Sequence, residues 1–600
     1  MSRSRPRLLA LAVGVATAAV AAPLALAAPA QATPEDGQFT VTALKFTVDA
    51  GGTSCTVDAD LYRPAGVDAD HTAPAVLTTN GFGGSKADGS TDATAKAFAE
   101  RGYVALAYSG LGFGKTGCPI SLDDPRIDGK AASGLIDFLA GTRAADDGTT
   151  ADFVTKDGSG DPRVGMIGGS YGGAVQMATA SQDQRVDALV PMITWHDLAY
   201  SLDPNNTART TPTGVSSDTP GAYKYQWTNG FFLIGEAQGL LNPSLDPSRL
   251  GGAGCLHFVS GACETKRLLD QKRYPADRTA EMLAFARGAS PVSYLRTVKA
   301  PTLLVQGQAD SLFNLNEATA TYKTLKAQGT ETKMIWQSWG HSGGITDPAA
   351  GELNLGEGNL ETSYVGKRIL AWFDRYLQKE QSTDTGPGFA YYRDWQPGQD
   401  AYATARKPPA LSQELYLSGD GKLVDNRAKV ARGSREYRNW LIPTSHSESS
   451  LAGMIGLPDP APRDTKGTYL DWTSEPLAEA TDVVGAPEAT LKVVSPKTER
   501  VQNSGDAADK LVLFAKLYDI APDGSKTLVH RLVAPVRVPD VTRKFTVTLP
   551  GIVHRYEKGH RLQFVVAASD DAYYGNKGVK PVTVTHTPAD TGVLRLPVVR

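Results

Sequence analysis

The chain has 600 residues, 41% of them hydrophobic and 21% charged, with a formal net charge of -3. That length exceeds what one hydrophobic core sustains, about 250–300 residues, so two or more domains are expected. The near-neutral balance provides no basic face for nucleic acid and no acidic tail, which excludes an electrostatic partner of either kind.

The first 32 residues read as a secretory leader. Arg3, Arg5 and Arg7 form a basic n-region, Leu8 to Ala22 an apolar stretch, and Ala30-Gln31-Ala32 a small-residue cleavage site. No later run reaches the ~18 apolar residues of a spanning helix, so a secreted chain with no membrane span after leader removal is expected. Four cysteines in such a chain imply two disulfides, for which three connectivities exist. Short reach favours Cys255 with Cys263, and Cys55 with Cys118. No Cys-x-x-Cys or Cys/His cluster is present, and no metal is expected.

From Gln38 to Val48, apolar and polar residues alternate, and they do so again after Gly51-Gly52, which predicts an antiparallel hairpin. APAVLTTNGFGG (73–84) reads as a short strand ending in a glycine turn, ATAKAFAERG (93–102) as a helix, and YVALAYSGLGFGKTG (103–117) as a strand and glycine loop. KAASGLIDFLAG (130–141) is helical, RVGMIGG (163–169) a strand, the segment after Ser170 a helix, and VDALVPMIT (186–194) a strand. Strands alternating with helices imply a mostly parallel sheet with helices on both faces. The alternation breaks over about 196–290, read as an inserted cap. It resumes with a strand at 300–310, a helix over 316–329, a strand within 333–344 and an amphipathic helix at 365–378. From about 386 onward, short apolar runs separated by turn signals predict a β-sandwich. The expected fold class is therefore α/β, a mostly parallel sheet domain over 33–385 with an inserted cap, followed by an all-β domain over 386–600.

Gly168-Gly169-Ser170-Tyr171-Gly172 fits G-x-S-x-G between a strand and a helix, the context a nucleophile elbow requires. A serine needs a base, and the base an orienting carboxylate, expected downstream in the order acid, then histidine. Asp310 follows the strand PTLLVQG, and His341 stands in the loop WGHSGG after the next strand. Ser170, Asp310 and His341 are the expected catalytic residues. The oxyanion donors are expected to be the backbone N–H of Tyr171 and that of Phe82 or Gly83 in the turn NGFGG. The triad supplies nucleophile, base and electrostatics, so no cofactor is implied.

With these residues in hand, the chain resembles the Xaa-Pro dipeptidyl-peptidase and cocaine-esterase family of serine hydrolases over nearly its whole length. The likeness rests on GGSYGG, PTLLVQGQADSLF and WGHSGG, then YLDWTSEPLAEATDVVGAP, KLYDIAPDGSKTLVHR and GHRLQFVVAASDDAYYGN. The resemblance implies a jelly-roll form for the second domain and acyl transfer from a peptide or ester to Ser170. It also implies a departure, because family members often carry a tyrosine hydroxyl in the turn that here reads NGFGGSK. A dipeptidyl-peptidase must hold a free amino terminus and a proline ring. Asp197 and Glu236 are candidates for the former, and Trp195, Tyr223, Tyr225, Trp227 and Phe231 for walls of the pocket. The alternatives are a carboxylic-ester hydrolase with the same triad, or a non-catalytic surface or carbohydrate-binding protein.

Overall fold

The computed structural model describes residues 38–207, 215–240, 246–250, 255–342, 348–396, 398, 400–450 and 457–599. The leader expected over 1–32, and Gly343 and Gly344 of the histidine loop, lie outside them.

Ten strands form the first sheet. They are β1 (Phe39–Asp49), β2 (Ser54–Pro64), β3 (Ala75–Thr79), β4 (Val104–Tyr108), β5 (Val164–Gly169), β6 (Val186–Met192), β7 (Thr302–Ala309), β8 (Thr332–Trp339), β9 (Phe389–Tyr392) and β10 (Tyr402–Ala405). Their spatial order is β1-β2-β4-β3-β5-β6-β7-β8-β9-β10. The hairpin β1–β2 is antiparallel, with Val48 opposite Cys55 and the turn closed by Gly52 N–H donating to Asp49 Oδ1 at 2.6 Å. From β4 through β9 the neighbours run parallel. Such strands are sandwiched between helix layers, which is why every residue of β3, β4 and β7 is buried.

Helices cover both faces. The core on one face is built from α2 (Lys130–Leu139) and α3 (Tyr171–Gln182), and that on the other from α1 (Gly89–Glu100) and α10 (Tyr364–Tyr376). α10 is amphipathic and buries Val365, Ile369, Trp372 and Phe373, whereas α3 is buried from Tyr171 through Ala180. Between β6 and β7 the insertion folds as α4 (Leu198–Leu202), α5 (Tyr225–Leu240), α6 (Ser260–Asp270), α7 (Ala276–Gly288) and α8 (Pro291–Tyr294). α9 (Leu315–Ala327) then joins β7 to β8. Cys55 bonds to Cys118 and Cys255 to Cys263, each pair with a Cα–Cα distance of 5.8 Å. Two disulfides fit an oxidising, extracellular setting. No helix among the described residues is long and apolar enough to cross a membrane.

The last two strands of this sheet lie beyond the division expected at 385/386. β9 pairs in parallel with β8, and β10 antiparallel with β9. Both are four residues long and follow a helix, so their short apolar runs resemble those of the all-β part. After them the chain forms a second large sheet, in which Leu511–Ile520, Arg561–Ala567 and Tyr469–Ser474 lie side by side. Smaller sheets, such as Gly433–Tyr437 with Val582–His586, share one core with it around Trp472, Phe564 and Tyr437. The two domains are fastened by buried polar contacts. The Arg537 guanidinium donates to the carbonyls of Pro220 and Gly221, and Asn316 exchanges hydrogen bonds with Leu549 and Gly551.

Candidate active site

β5 lies in the middle of the sheet, between β3 and β6, so the residue after it emerges at the carboxyl edge. That residue is Ser170, with φ 56° and ψ -117°, a left-handed conformation that a non-glycine residue adopts only under constraint. The constraint is tight packing of the turn. A Cβ on Gly172 would stand 2.4 Å from the carbonyl oxygen of Thr79, and one on Gly168 2.7 Å from that of Gly172. Only hydrogen fits at either position, and α3 therefore starts against β3. Gln176, 1% exposed, fastens the turn from behind by donating to the Gly172 carbonyl at 2.8 Å and accepting from Val190 N–H at 3.1 Å.

His341 Nε2 lies 2.9 Å from Ser170 Oγ, and its Nδ1 lies 2.8 Å from Asp310 Oδ2. Asp310 is fully buried, and its other oxygen accepts the N–H groups of Leu312 at 3.0 Å and Phe313 at 2.8 Å. The carboxylate is thus held by the first turn after β7, aimed along the carboxyl edge at the histidine. The rings of Phe313 and Trp227 meet the imidazole edge-on, with centroids 5.2 and 6.2 Å away. This arrangement can draw a proton from the serine hydroxyl and stabilise the imidazolium that results.

Tyr171 opens α3, so its N–H is among those with no partner inside the helix. The turn Gly81-Phe82-Gly83-Gly84 closes through Gly84 N–H donating to Gly81 oxygen, and a Cβ on Gly81 would lie 3.8 Å from the Ser170 Cβ. Gly81 therefore sits beside the serine, with Phe82 and Gly83 next in the turn and Gly83 facing Ile234 and Gln238 of α5. The Phe82 ring packs on Phe113, Tyr171 and Phe231, with centroids 5.0 to 5.8 Å apart. A cavity of about 370 Å³ opens at Ser170, lined in part by Gly81, Met192, Ile193 and Trp339.

The pocket residues expected from sequence divide. Trp227 faces His341 and stacks on Phe231, and Trp195 packs between Tyr171 and Phe313. Tyr223 and Tyr225 turn instead to the second domain, where both pack on Tyr574. Tyr225 also donates to the Asp571 carbonyl at 2.8 Å. Glu236 accepts the N–H of Leu256 at 3.1 Å and of His257 at 3.4 Å. The helix explains the split, since at about 100° per residue Tyr225 and Glu236 fall roughly opposite Trp227 on α5, while Phe231 shares its face. Asp197 is fully buried and committed to structure: it caps α4 through Ala199 N–H at 3.0 Å, accepts the Ser216 hydroxyl and pairs with Arg287. Asp197, Tyr225 and Glu236 are thus spent on the scaffold.

One residue absent from the sequence reading joins the site from the second domain. Glu448, 3% exposed, accepts from Ser311 Oγ at 2.5 Å, Ser450 Oγ at 2.9 Å and Trp227 Nε1 at 3.4 Å, while its Oε2 has no partner. Burial pushes its carboxyl upward, and burial lowers the neighbouring Lys224 to about 8 against the pull of Glu448 and Glu317. Lys224 donates to the carbonyls of Ser311 and Leu312, at 2.5 and 3.1 Å. Nothing in the local sequence SHSESS marked Glu448, because its neighbours are contributed by another domain. Among the described residues, no group of three or more His, Cys, Asp or Glu is placed to share a metal ion.

Residues 52–343 match the model of the X-Pro dipeptidyl-peptidase family, and residues 373–589 that of the X-Pro dipeptidyl-peptidase C-terminal non-catalytic domain. No curated protein matches by sequence. Among solved structures, the chain is similar to an aminopeptidase from a marine sediment Thaumarchaeota archaeon, with TM-score 0.65 and 16% identity over 96% of this chain and 99% of that one. It is similar also to an α-amino acid ester hydrolase, with TM-score 0.62 and 17% identity over 96% and 100%. A CocE/NonD family hydrolase from Staphylococcus aureus follows, with TM-score 0.58 and 13% identity over 93% and 96%. Identities this low speak to the fold alone, but the two family models together span most of the chain. An α/β-hydrolase domain with a serine at its elbow, followed by an all-β domain, makes this chain a hydrolase, a peptidase or esterase, that belongs to the X-Pro dipeptidyl-peptidase and cocaine-esterase-like family.

Proposed function

We propose that this chain is a secreted serine peptidase that releases Xaa-Pro dipeptides from peptide amino termini, with Ser170 as nucleophile, His341 as general base and then acid, and Asp310 as the group that orients it. The observation that carries the reading is the pair of hydrogen bonds from Ser170 Oγ through His341 to Asp310, at 2.9 and 2.8 Å. Ser170 attacks the scissile carbonyl as its proton passes to His341 Nε2. The oxyanion forms against the N–H of Tyr171 and one from the Phe82-Gly83 turn. Collapse expels the amine, protonated by the imidazolium, and leaves an acyl-enzyme that water opens by the same steps in reverse. The aromatic walls around His341, Trp227, Phe231 and Phe313 suit a proline ring. Glu448 is the carboxylate that would answer the substrate ammonium, in place of Asp197 and Glu236. The leader-like segment and the two disulfides support export.

A carboxylic-ester hydrolase is the second reading. It is favoured by Phe82, which has no hydroxyl to add to the backbone donors, and esters demand less oxyanion stabilisation than amides. Kinetics on Gly-Pro-anilide, its amino-terminally acetylated form and a nitrophenyl ester separate the two. The peptidase reading expects cleavage of the free dipeptide amide and its loss on acetylation, with all turnover abolished in Ser170→Ala. Ester turnover with no amide cleavage would reverse the ranking.

A further inference from the structure

Below the elbow, on the α2 side of the sheet, two carboxyl groups are enclosed without a countercharge. Asp123 is fully buried and Asp128 is 4% exposed. Both line a cavity of about 10 Å³, room for one water-sized particle, together with Thr79, Tyr108 and Tyr171. None of the residues lining it is cationic. Asp128 accepts the Ser121 hydroxyl at 2.5 Å, but neither oxygen of Asp123 has a hydrogen-bond partner, and neither does the hydroxyl of Tyr108. The Thr79 hydroxyl is already donated to the Tyr108 carbonyl, at 2.6 Å. Arg126, close in sequence, is spent on Asp124 at 2.6 Å.

The backbone is bent to put Asp123 there. Leu122 and Asp123 both take left-handed angles, with φ 59° and 60°, which residues with a side chain adopt only under constraint. The Asp123 N–H donates to the Tyr171 hydroxyl at 3.2 Å, so that phenol oxygen stands at the cavity as well. Burial and the charge of Asp128 push the Asp123 carboxyl well above its ordinary range. A proton would remove its charge and supply one donor, but the Tyr108 phenol and the other Asp123 oxygen would still lack a partner, which is itself unfavourable. One cation would engage all of these atoms together. The donors are oxygens only, the pattern of hard cations, with no nitrogen or sulfur to select a transition metal.

We infer that Asp123, Asp128, Tyr108 and Tyr171 form an internal site for a single hard cation of the sodium or calcium kind. The ion ties the 121–124 loop to Tyr171, the first residue of α3, and so braces the serine-bearing turn from beneath. The site is separate from the chemistry at Ser170 and stands whichever substrate that serine takes.

The test is thermal melting of the full chain, treated with chelator and exchanged into choline chloride, then titrated with sodium chloride, calcium chloride or further choline chloride. Sodium or calcium should raise the melting midpoint by roughly 3 °C or more at saturation, and choline should not. Asp123→Asn should abolish that response while the protein stays folded, and Tyr108→Phe should move the titration midpoint to higher cation. Elemental analysis finding about one calcium per chain that survives chelation would support a tight calcium site. A melt indifferent to which cation is present in a chain that elemental analysis finds free of calcium, an Asp123→Asn variant that responds like the parent, or a crystal structure with only water in the cavity would each overturn the inference.

Discussion

Replacing Asp310 by asparagine is a sharp test of its orienting role because the structure dictates how the amide must sit. Asp310 Oδ1 accepts two backbone N–H groups, from Leu312 at 3.0 Å and Phe313 at 2.8 Å. An amide NH₂ cannot occupy that position, since donor would meet donor, so the asparagine carbonyl takes it and the NH₂ turns to His341. Nδ1, now 2.8 Å from a donor, must accept, and the imidazole hydrogen moves to Nε2. Nε2–H then points at Ser170 Oγ across 2.9 Å, and the lone pair that should take the serine proton is gone. Inverting the tautomer in such a triad costs about 10⁴-fold in kcat, about 5 kcal/mol at 1.36 kcal/mol per tenfold. The shape and both backbone hydrogen bonds are retained, so the melting midpoint should move by no more than about 2 °C, as expected when no cavity or lost partner is created. Stopped-flow acylation by a nitrophenyl ester, with a thermal melt of the same preparation, measures both. A rate within tenfold of the parent would refute Asp310 as the group that fixes the His341 tautomer, and a rate loss accompanied by a collapsed melt would refute the orientation argument.

Gly172→Ala should lower stability by about 1–3 kcal/mol, because the new methyl meets the Thr79 carbonyl oxygen at 2.4 Å and neither backbone can yield cheaply. The same shift carries Ser170 with it, so kcat should fall about 100-fold; urea titration and ester hydrolysis check this, and parental values for both would contradict it. Burial raises the Glu317 carboxyl from 4.5 to about 8, so the folded state binds that proton more tightly than the unfolded chain does. Its contribution is therefore fully present below pH 4.5 and is lost as pH rises to about 8, and Glu317→Gln, which never ionises, should melt several degrees above the parent at pH 9 but level with it at pH 5. A gap of equal size at both pH values would refute this. Removing Cys55–Cys118, which spans 63 positions, should cost about 4 kcal/mol, against about 2.5 kcal/mol for Cys255–Cys263 across 8. Paired serine variants in denaturant titrations would show the difference, and the reverse order would refute a loop-entropy origin.

Much of the first domain was legible because its signals are local. Strand and helix periods alternate, the glycines around Ser170 mark a turn that bulky residues would block, and Asp310 and His341 each follow a strand on the same edge. Parallel strands put their carboxyl ends together, so residues after three different strands can meet although 171 positions separate Ser170 from His341. The short strands β9 and β10 were expected in the all-β domain, yet they pair into the first sheet. A four-residue apolar run carries no mark of the sheet it will join, and only pairing with β8 assigns it.

What the sequence by itself determined, then, is the elbow, the chain order of serine, acid and histidine, and the two-domain plan, since each depends on backbone sterics and periodicity within a few residues. Tertiary structure alone decided which side chains surround the serine. Rotation about α5 sends Trp227 towards His341 and Tyr225 away, capping of α4 withdraws Asp197, and Glu448 arrives from the other domain, 137 positions beyond Ser311. Those outcomes follow from how helices rotate and domains dock, where the partner of a side chain is chosen by packing across the whole molecule.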